Sequence, residues 1–464
     1  MIDFLRERFR GRSVVLLGFG REGQASYGLL RKALPEQQLA IADSNEGISE
    51  NPLIQFDRHL ELITGPDYLL KLSRFDFIFR SPGIPVWQII SPGGHAEHSV
   101  SAGRITSQTD LFLQRYSGQV IGVTGTKGKS TTSSLICHIL KTAGKGVVLA
   151  GNIGNPVFHF TDLIGPGTKI VFELSSHQLE FITVAPHISV LLNLFQEHLD
   201  AYRSYGDYQL AKMNITKYQQ QGDYLVWNAD DELVAGHVQP YSAARRGYPF
   251  SVIAEPRPGG FIRDGALYFS DGSRDVPVWR IHQDRFLRGE HNLKNILAAM
   301  NVAMISGIDN DSIEDGIATF RGLEHRLEYV GEFQKIHFYN DSIATIPEAA
   351  MEAVKAVPNV DTLIAGGFDR GIEYSGMADF LSNSVVRNLI LVGAAGKRIG
   401  ELLEYKNLHG KKLFYISRFD DFREIAFRET RAGYACLLSP AAASYDEFKN
   451  FEERGKRFRE LVRQ

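Results

Sequence analysis

Three times along the chain a short run of aliphatic and β-branched residues is followed by glycines. SVVLLG at Ser13 to Gly18 leads into FGREGQASYGLLRKAL, and QVIGVTG at Gln119 to Gly125 leads into TKGKSTTSSLICHILKTAG, both helical patterns. DTLIAGG at Asp361 to Gly367 has a further apolar run, VVRNLILVG at Val385 to Gly393, behind it. Apolar runs without polar alternation suit strands buried on both faces, and their alternation with helices predicts parallel sheets covered on both sides. The expected fold class is therefore α/β in all three segments. A polar stretch with glycine and proline, Ala254 to Asp275, predicts hairpins and turns within the middle segment.

A chain of 464 residues exceeds what one hydrophobic core usually serves, so several domains are expected. The loop-like SPGGHAEHSVSAG (Ser91 to Gly103) and the segment FRGLEHRLEYV (Phe320 to Val330) mark the breaks. They give domains at 1–107, 108–322 and 323–464, the first and last Rossmann-like and the central one of P-loop ATPase type. A formal charge of −3 offers no broad basic field, which argues against nucleic acid as the main partner. No run reaches the length of a membrane-spanning helix, and the charged start MIDFLRERFRGRS lacks an apolar stretch. A cytoplasmic location is expected. Cys137 and Cys436 sit in apolar surroundings, as buried hydrophobes rather than a disulfide or a nucleophile.

The segment that carries chemistry is Gly125-Thr126-Lys127-Gly128-Lys129-Ser130-Thr131-Thr132, after a strand and opening a helix. Glycines let backbone N–H groups converge on phosphate oxygens, and the helix N-terminus adds partial positive charge. Lys129 can neutralise β- and γ-phosphates, and the Ser130 hydroxyl can ligate Mg²⁺. Val123 stands where the strict P-loop has its first glycine, so the loop is a variant. A plain strand-to-helix turn leaves this spacing unexplained.

Oxygen or imidazole ligands for a magnesium nucleotide belong at strand ends facing the crevice. Glu173 ends KIVFE, and His198 follows HISVLLN within NLFQEHLD. Taken singly, each residue type at such a place is more often a helix cap or a satisfied surface group; placed after a phosphate loop in the same domain, both become better candidates. Near the N-terminus Gly18, Gly20 and Gly23, with Asp43 twenty residues further on, imitate a dinucleotide fingerprint. The same glycines at a helix N-terminus would serve any diphosphate, helped by Ser81 and Gly83 of Ser81-Pro82-Gly83.

GTKGKSTT, ELSSHQLE, NLFQEHLD, HNLKNILAA, GLEHR, NDSIAT and LSPAAASYDEFKNFEERGKRF follow one another in the order found in the Mur ligases. The chain resembles that family along nearly its whole length, and within it the branch adding glutamate to UDP-N-acetylmuramoyl-L-alanine. The resemblance implies an ATP-dependent ligase of peptidoglycan precursor synthesis, working through an acyl phosphate with two Mg²⁺ ions. It implies a UDP-binding first domain, an ATP-binding second and an amino-acid-binding third, in a monomer with small-molecule substrates only. By motif match, Gly125 to Thr131, Asn292, Asn295, Arg326 and Asp341 would surround ATP. Ser130, Glu173, His198 and Lys212 would serve the metals, Lys212 as a carbamylated lysine; from the residues alone Lys212 is a solvated helix lysine. Catalysis would rest on Lys129, Glu173, His198 and Lys212. Gly18, Gly20, Gly23, Asp43, Ser81, Gly83 and Asn152 would face the UDP substrate, and Thr345, Arg370, Ser444 and Phe451 the incoming glutamate.

Three places depart from the family's D-glutamate branch, one of them the residues before His198, which differ from its usual Thr-x-Asp pattern. Ile343 stands where that branch usually has lysine, and Arg370 stands where it has lysine after the glycine motif. Arginine grips a carboxylate in bidentate fashion and lysine does not. D-glutamate is the expected amino acid, with L-glutamate the alternative. A nicotinamide-dependent oxidoreductase leaves GTKGKSTT unexplained, and a regulatory nucleotide-binding module leaves LSPAAAS idle. A folate-type ligase of the same superfamily has no use for the N-terminal segment.

Overall fold

The computed structural model describes residues 1–90, 99–151, 156–196, 202–242, 246–282, 286–287, 289–406, 408 and 410–464. The chain forms two compact units, Met1–Phe320 and Arg321–Gln464. The first unit holds two of the three sheets, so the first two expected segments share one body.

Its first sheet contains β1 (Val14–Leu17), β2 (Leu39–Asp43), β3 (Leu60–Thr64), β4 (Phe77–Arg80) and β5 (Ile105–Thr106). They lie in the order β3-β2-β1-β4-β5, all parallel. VVLL of β1 is buried along its entire length, as its unbroken apolar run requires. Strand order reverses between β1 and β4, and a crevice opens beyond their C-terminal ends.

The second sheet is built from β6 (Val120–Thr124), β7 (Val147–Gly151), β8 (Lys169–Glu173), β9 (Ile188–Leu191), β10 (Tyr224–Asn228), β11 (Arg246–Ser251), β12 (Gly259–Arg263), β13 (Ala266–Ser270) and β14 (Asp275–Arg280). The order is β14-β13-β12-β11-β10-β9-β6-β8-β7. The chain leaves β6 for β7, returns to β8 beside β6, then crosses to β9 on the other side. β6 is thus the switch point, and the expected phosphate loop leaves its C-terminal end. The parallel pattern gives way at the far edge, where β12, β13 and β14 pair antiparallel. These are the hairpins that the glycine- and proline-containing stretch predicts. Among the described residues no helix is long and apolar enough to cross a membrane.

The second unit carries β15 (Glu328–Phe333), β16 (Ile336–Asn340), β17 (Val360–Gly366), β18 (Asn388–Val392), β19 (Lys412–Ile416) and β20 (Ala435–Leu438). The order is β15-β16-β20-β17-β18-β19, parallel except for the edge hairpin β15–β16. Cys436 lies in the core of this sheet and Cys137 in that of the first unit, both as free thiols.

Candidate active site

The loop after β6 takes its shape from two glycines. Gly128 has φ +83° and caps the helix Lys129–Thr142. A Cβ at Gly128 would stand 2.5 Å from Asn295 Oδ1, and one at Gly125 2.8 Å from Leu192 Cβ. Left-handed backbone and lack of room both demand glycine here. The first turn of the helix, opening at Lys129, points its N–H groups out of the helix end, where an anion can accept from them.

The loop is fastened to the segment following β9. Thr126 N–H donates to Asn193 O (2.9 Å), Lys127 N–H to Asn193 Oδ1 (2.7 Å), and Asn193 Nδ2 to Lys127 O (3.0 Å). The Thr126 hydroxyl is turned inward, accepting from Phe195 N–H (2.9 Å) and lying 2.8 Å from Tyr208 Oη. Its side chain therefore braces the loop, as its backbone N–H does through Asn193 O. Asn193 carries no cation or nucleophile, so sequence reading gives it no role. Its single signal is its place just beyond a buried strand.

Two lysines converge on this loop. Lys129 Nζ donates to Gly125 O (2.9 Å) and Thr126 O (2.8 Å). Lys212 Nζ donates to Gly125 O as well (2.9 Å), over the Tyr208 ring at 4.9 Å. Lys212 is 2% exposed, which corrects the expectation of a solvated helix lysine. Tertiary packing of its helix, Tyr205–Lys217, turns it into the protein. Glu173, the last residue of β8, pairs in register with Val123 and is 1% exposed. It sits beside the strand whose end becomes the loop. A cavity of about 770 Å³ adjoins the loop, with Lys127, Gly128, Asn193, Asp230, Lys294 and Asn295 on its walls. Asn295 presses on Gly128 and is held by Thr132 Oγ1 (3.2 Å) and by its own bond to Asn292 Oδ1 (3.0 Å).

A second cavity, about 440 Å³, opens beyond β1 and β4 and is lined by Gly18, Gly20, Arg21, Asp43, Ser81 and Gly83 among others. Gly18 has φ +88°, and a Cβ on Gly23 would fall 2.1 Å from Gly18 O, so the helix Arg21–Ala33 rests directly on the loop. Ser81 Oγ donates to Gly18 O (2.9 Å). Asp43 accepts from Phe19 N–H (2.7 Å) and Asn45 N–H (2.9 Å), so its carboxylate holds the glycine loop in place. The acidic residue that imitates a nicotinamide-cofactor fingerprint thus also braces the protein's own backbone. Arg21 and Tyr68, also on the wall, were not singled out from sequence. Asn152 and His198 lie outside the described residues.

In the second unit Asp341 is 4% exposed, accepts from Ser439 Oγ (2.8 Å) and Leu327 N–H (3.1 Å), and has the exposed Arg326 nearby. Burial raises its carboxyl from the usual 3.8 to about 7, against the pull of those partners. Arg370 Nη2 donates to Thr345 O (2.8 Å), bringing these two expected residues together. Ser444 is buried, and the Phe451 ring meets His325 edge-on at 6.2 Å. Arg454, 2% exposed, bonds Ser342 Oγ and the carbonyls of Ser342, Ala442 and Ala443, tying the NDSIAT and AAAS segments.

Residues 123–303 match the Mur ligase middle domain. The chain is 35% identical over 456 residues to the UDP-N-acetylmuramoylalanine–D-glutamate ligase of Thermoanaerobacter pseudethanolicus, covering 98% of each. The chain belongs to the Mur ligase family. The enzyme of the same printed name from Caldanaerobacter subterraneus is 35% identical over 400 residues, covering 85% of this chain and 87% of that one. The fold agrees with that of the UDP-N-acetylmuramate-alanine ligase of Thermotoga maritima, at 17% identity and a TM-score of 0.54, covering 97% of this chain and 99% of that one.

As a Mur ligase the protein is an ATP-dependent enzyme that forms amide bonds. The loop at Gly125–Thr131 has what such an enzyme needs for a triphosphate: glycine backbone, a helix N-terminus and lysine side chains. For a magnesium ion the fitting donors here are hard oxygens, the Ser130 hydroxyl and the Glu173 carboxylate. Among the described residues no three His, Cys, Asp or Glu side chains gather as a ready ligand set.

Proposed function

We propose that this Mur ligase joins D-glutamate to UDP-N-acetylmuramoyl-L-alanine in peptidoglycan precursor synthesis, in the cytoplasm, as a monomer. The carrying observation is the pair of lysines at the Gly125 carbonyl, beside a glycine loop and a buried strand-end carboxylate. The relatives that match over nearly the whole chain bear the D-glutamate ligase name.

In the proposed reaction the carboxylate of the alanyl substrate attacks the γ-phosphate of ATP and releases ADP. A carboxylate is a poor acylating agent because oxide leaves badly; its acyl phosphate expels phosphate instead. The amine of glutamate then adds to the acyl carbon, and the tetrahedral species collapses with loss of phosphate. The protein's part is positioning and charge neutralisation. Lys129 and the N–H groups of Gly128 to Thr131 hold the phosphates. Ser130, Glu173 and His198 would hold Mg²⁺, two ions in all, which when bound neutralise the phosphate oxygens. Lys212, as a carbamate, would add oxygen ligands in place of an ammonium. Asn292, Asn295, Arg326 and Asp341 are assigned to the nucleoside end of ATP, and Gly18, Gly20, Gly23, Asp43, Ser81, Gly83 and Asn152 to the UDP substrate. Thr345, Arg370, Ser444 and Phe451 receive glutamate, with Arg370 on a carboxylate.

Mass analysis of the UDP-linked product tests this reading. The purified protein with MgATP, UDP-N-acetylmuramoyl-L-alanine and each glutamate enantiomer should yield the dipeptide with D-glutamate. Product from L-glutamate alone would move the enzyme to the other branch.

A further inference from the structure

Arg80, the last residue of β4, stands apart from every role assigned above. Its guanidinium is 3% exposed and makes four bonds to two separate parts of the first unit. Nε donates to Ile84 O (2.6 Å) and Nη2 to Pro82 O (3.2 Å), both in the loop lining the N-terminal cavity. Nη1 donates to His177 O (3.2 Å) and Nη2 to the Glu180 carboxylate (2.9 Å), almost a hundred residues further along the chain. A buried guanidinium is costly unless paired and fully bonded, and Glu180 supplies the counter-charge.

A second bridge runs parallel to the first. Gln178 Nε2 donates to Glu22 Oε1 (2.8 Å), and Glu22 lines the same cavity. Gln178 also closes a capping box with Ser175 on the short helix Ser176–Leu179. Leu174 and Ser175 alone separate that helix from Glu173. Its lead-in is in turn tied to the phosphate-loop strand, through Leu174 N–H to Val123 O (2.9 Å) and Thr124 Oγ1 to Leu174 O (2.8 Å). A continuous set of bonds therefore joins Ser81–Ile84 to the residue preceding Gly125, with Arg80 at its centre.

We propose that Arg80 is a positioning residue for the ligase reaction: it fixes the cavity that holds the UDP-linked acid relative to the Glu173 strand end and the phosphate loop. The inference rests on the ligase reading and deepens it. Arg80 is not among the residues lining either cavity, so its loss should spare binding and impair the meeting of acid and γ-phosphate. Misplacement by about 1 Å costs roughly a hundredfold in rate.

The test is steady-state kinetics on Arg80→Met, Arg80→Lys and Glu180→Gln in the full chain, with melting temperatures alongside. Arg80→Met should lower kcat at least tenfold, with KM for ATP and for UDP-N-acetylmuramoyl-L-alanine each within threefold of wild type. Arg80→Lys, which keeps the charge facing Glu180, should recover part of the loss. Glu180→Gln keeps one carbonyl acceptor for Arg80 and removes the counter-charge, so it carries the test should Arg80→Met fail to fold; it should show the same split on a smaller scale. A folded variant set with unchanged kcat overturns the proposal, as does a rise in KM for the UDP substrate alone. Both results leave the ligase reading standing, whereas wild-type protein inactive with either glutamate enantiomer overturns that reading and the proposal together.

Discussion

Lys129 Nζ and Lys212 Nζ each lie 2.9 Å from the same atom, the carbonyl oxygen of Gly125. One comes from the first turn of the loop's own helix, the other, 87 residues after Gly125, from the helix Tyr205–Lys217. Two lysine amines gather at one oxygen at the mouth of β6, one of them 2% exposed. A carbonyl oxygen can accept both donors, and an arriving phosphate competes for them.

The first prediction follows from that arrangement. Lys129→Ala removes the lysine of the loop's own helix while leaving the Lys212 bond and the sheet in place. Activity should fall by about three powers of ten, the scale of removing a donor to developing charge. Circular dichroism and melting temperature should remain near wild type. Turnover at the normal rate would remove the phosphate role of Lys129.

Gly128→Ala forces an L side chain into a left-handed backbone and toward Asn295 Oδ1. The backbone term alone costs about 1–2 kcal/mol. Asn295 must also move, and it lines the cavity beside the loop. KM for ATP should rise by about tenfold or more, equivalent to 1.4 kcal/mol per factor of ten, while KM for the UDP substrate stays within about twofold. An equal rise in both would point to general loss of fold instead.

Much of this was legible in the residues. The βα units announce themselves through unbroken apolar runs such as VVLL, and the phosphate loop through glycines whose backbone other residues adopt only at a cost. Glu173 was legible as a strand end. Lys212 was not, because its burial depends on Tyr208 and on Gly125, a partner that neighbouring residues do not foretell. Asn193 was missed for a similar reason: its work is done through three bonds to one loop, and an asparagine after a strand carries no chemical flag. Asp43 was legible as an acid at the right spacing, but only the fold shows its carboxylate held by Phe19 N–H.

Asp341 gives a pH signature. Its carboxyl titrates at about 7 in the folded chain and near 3.8 when free. Between those values the folded state holds a proton that the unfolded state has lost, so stability falls as pH rises. The contribution is full below about pH 4 and gone above about pH 7, with an upper bound of roughly 4 kcal/mol. Denaturant melts of the wild type should therefore lose more stability between pH 5 and pH 8 than those of Asp341→Asn. Parallel slopes in the two proteins would contradict the assignment.

Arg370→Lys keeps a cation but loses the planar fork. KM for glutamate should rise about tenfold, the size of one lost charge-assisted bond, with KM for ATP unmoved. An unaltered KM for glutamate would take Arg370 out of the amino-acid site.

The most direct test of the account is phosphate release from ATP by the purified protein, with each substrate omitted in turn. Release should require UDP-N-acetylmuramoyl-L-alanine and D-glutamate together and match dipeptide formation one for one. Equal release from MgATP without the UDP substrate would contradict the account.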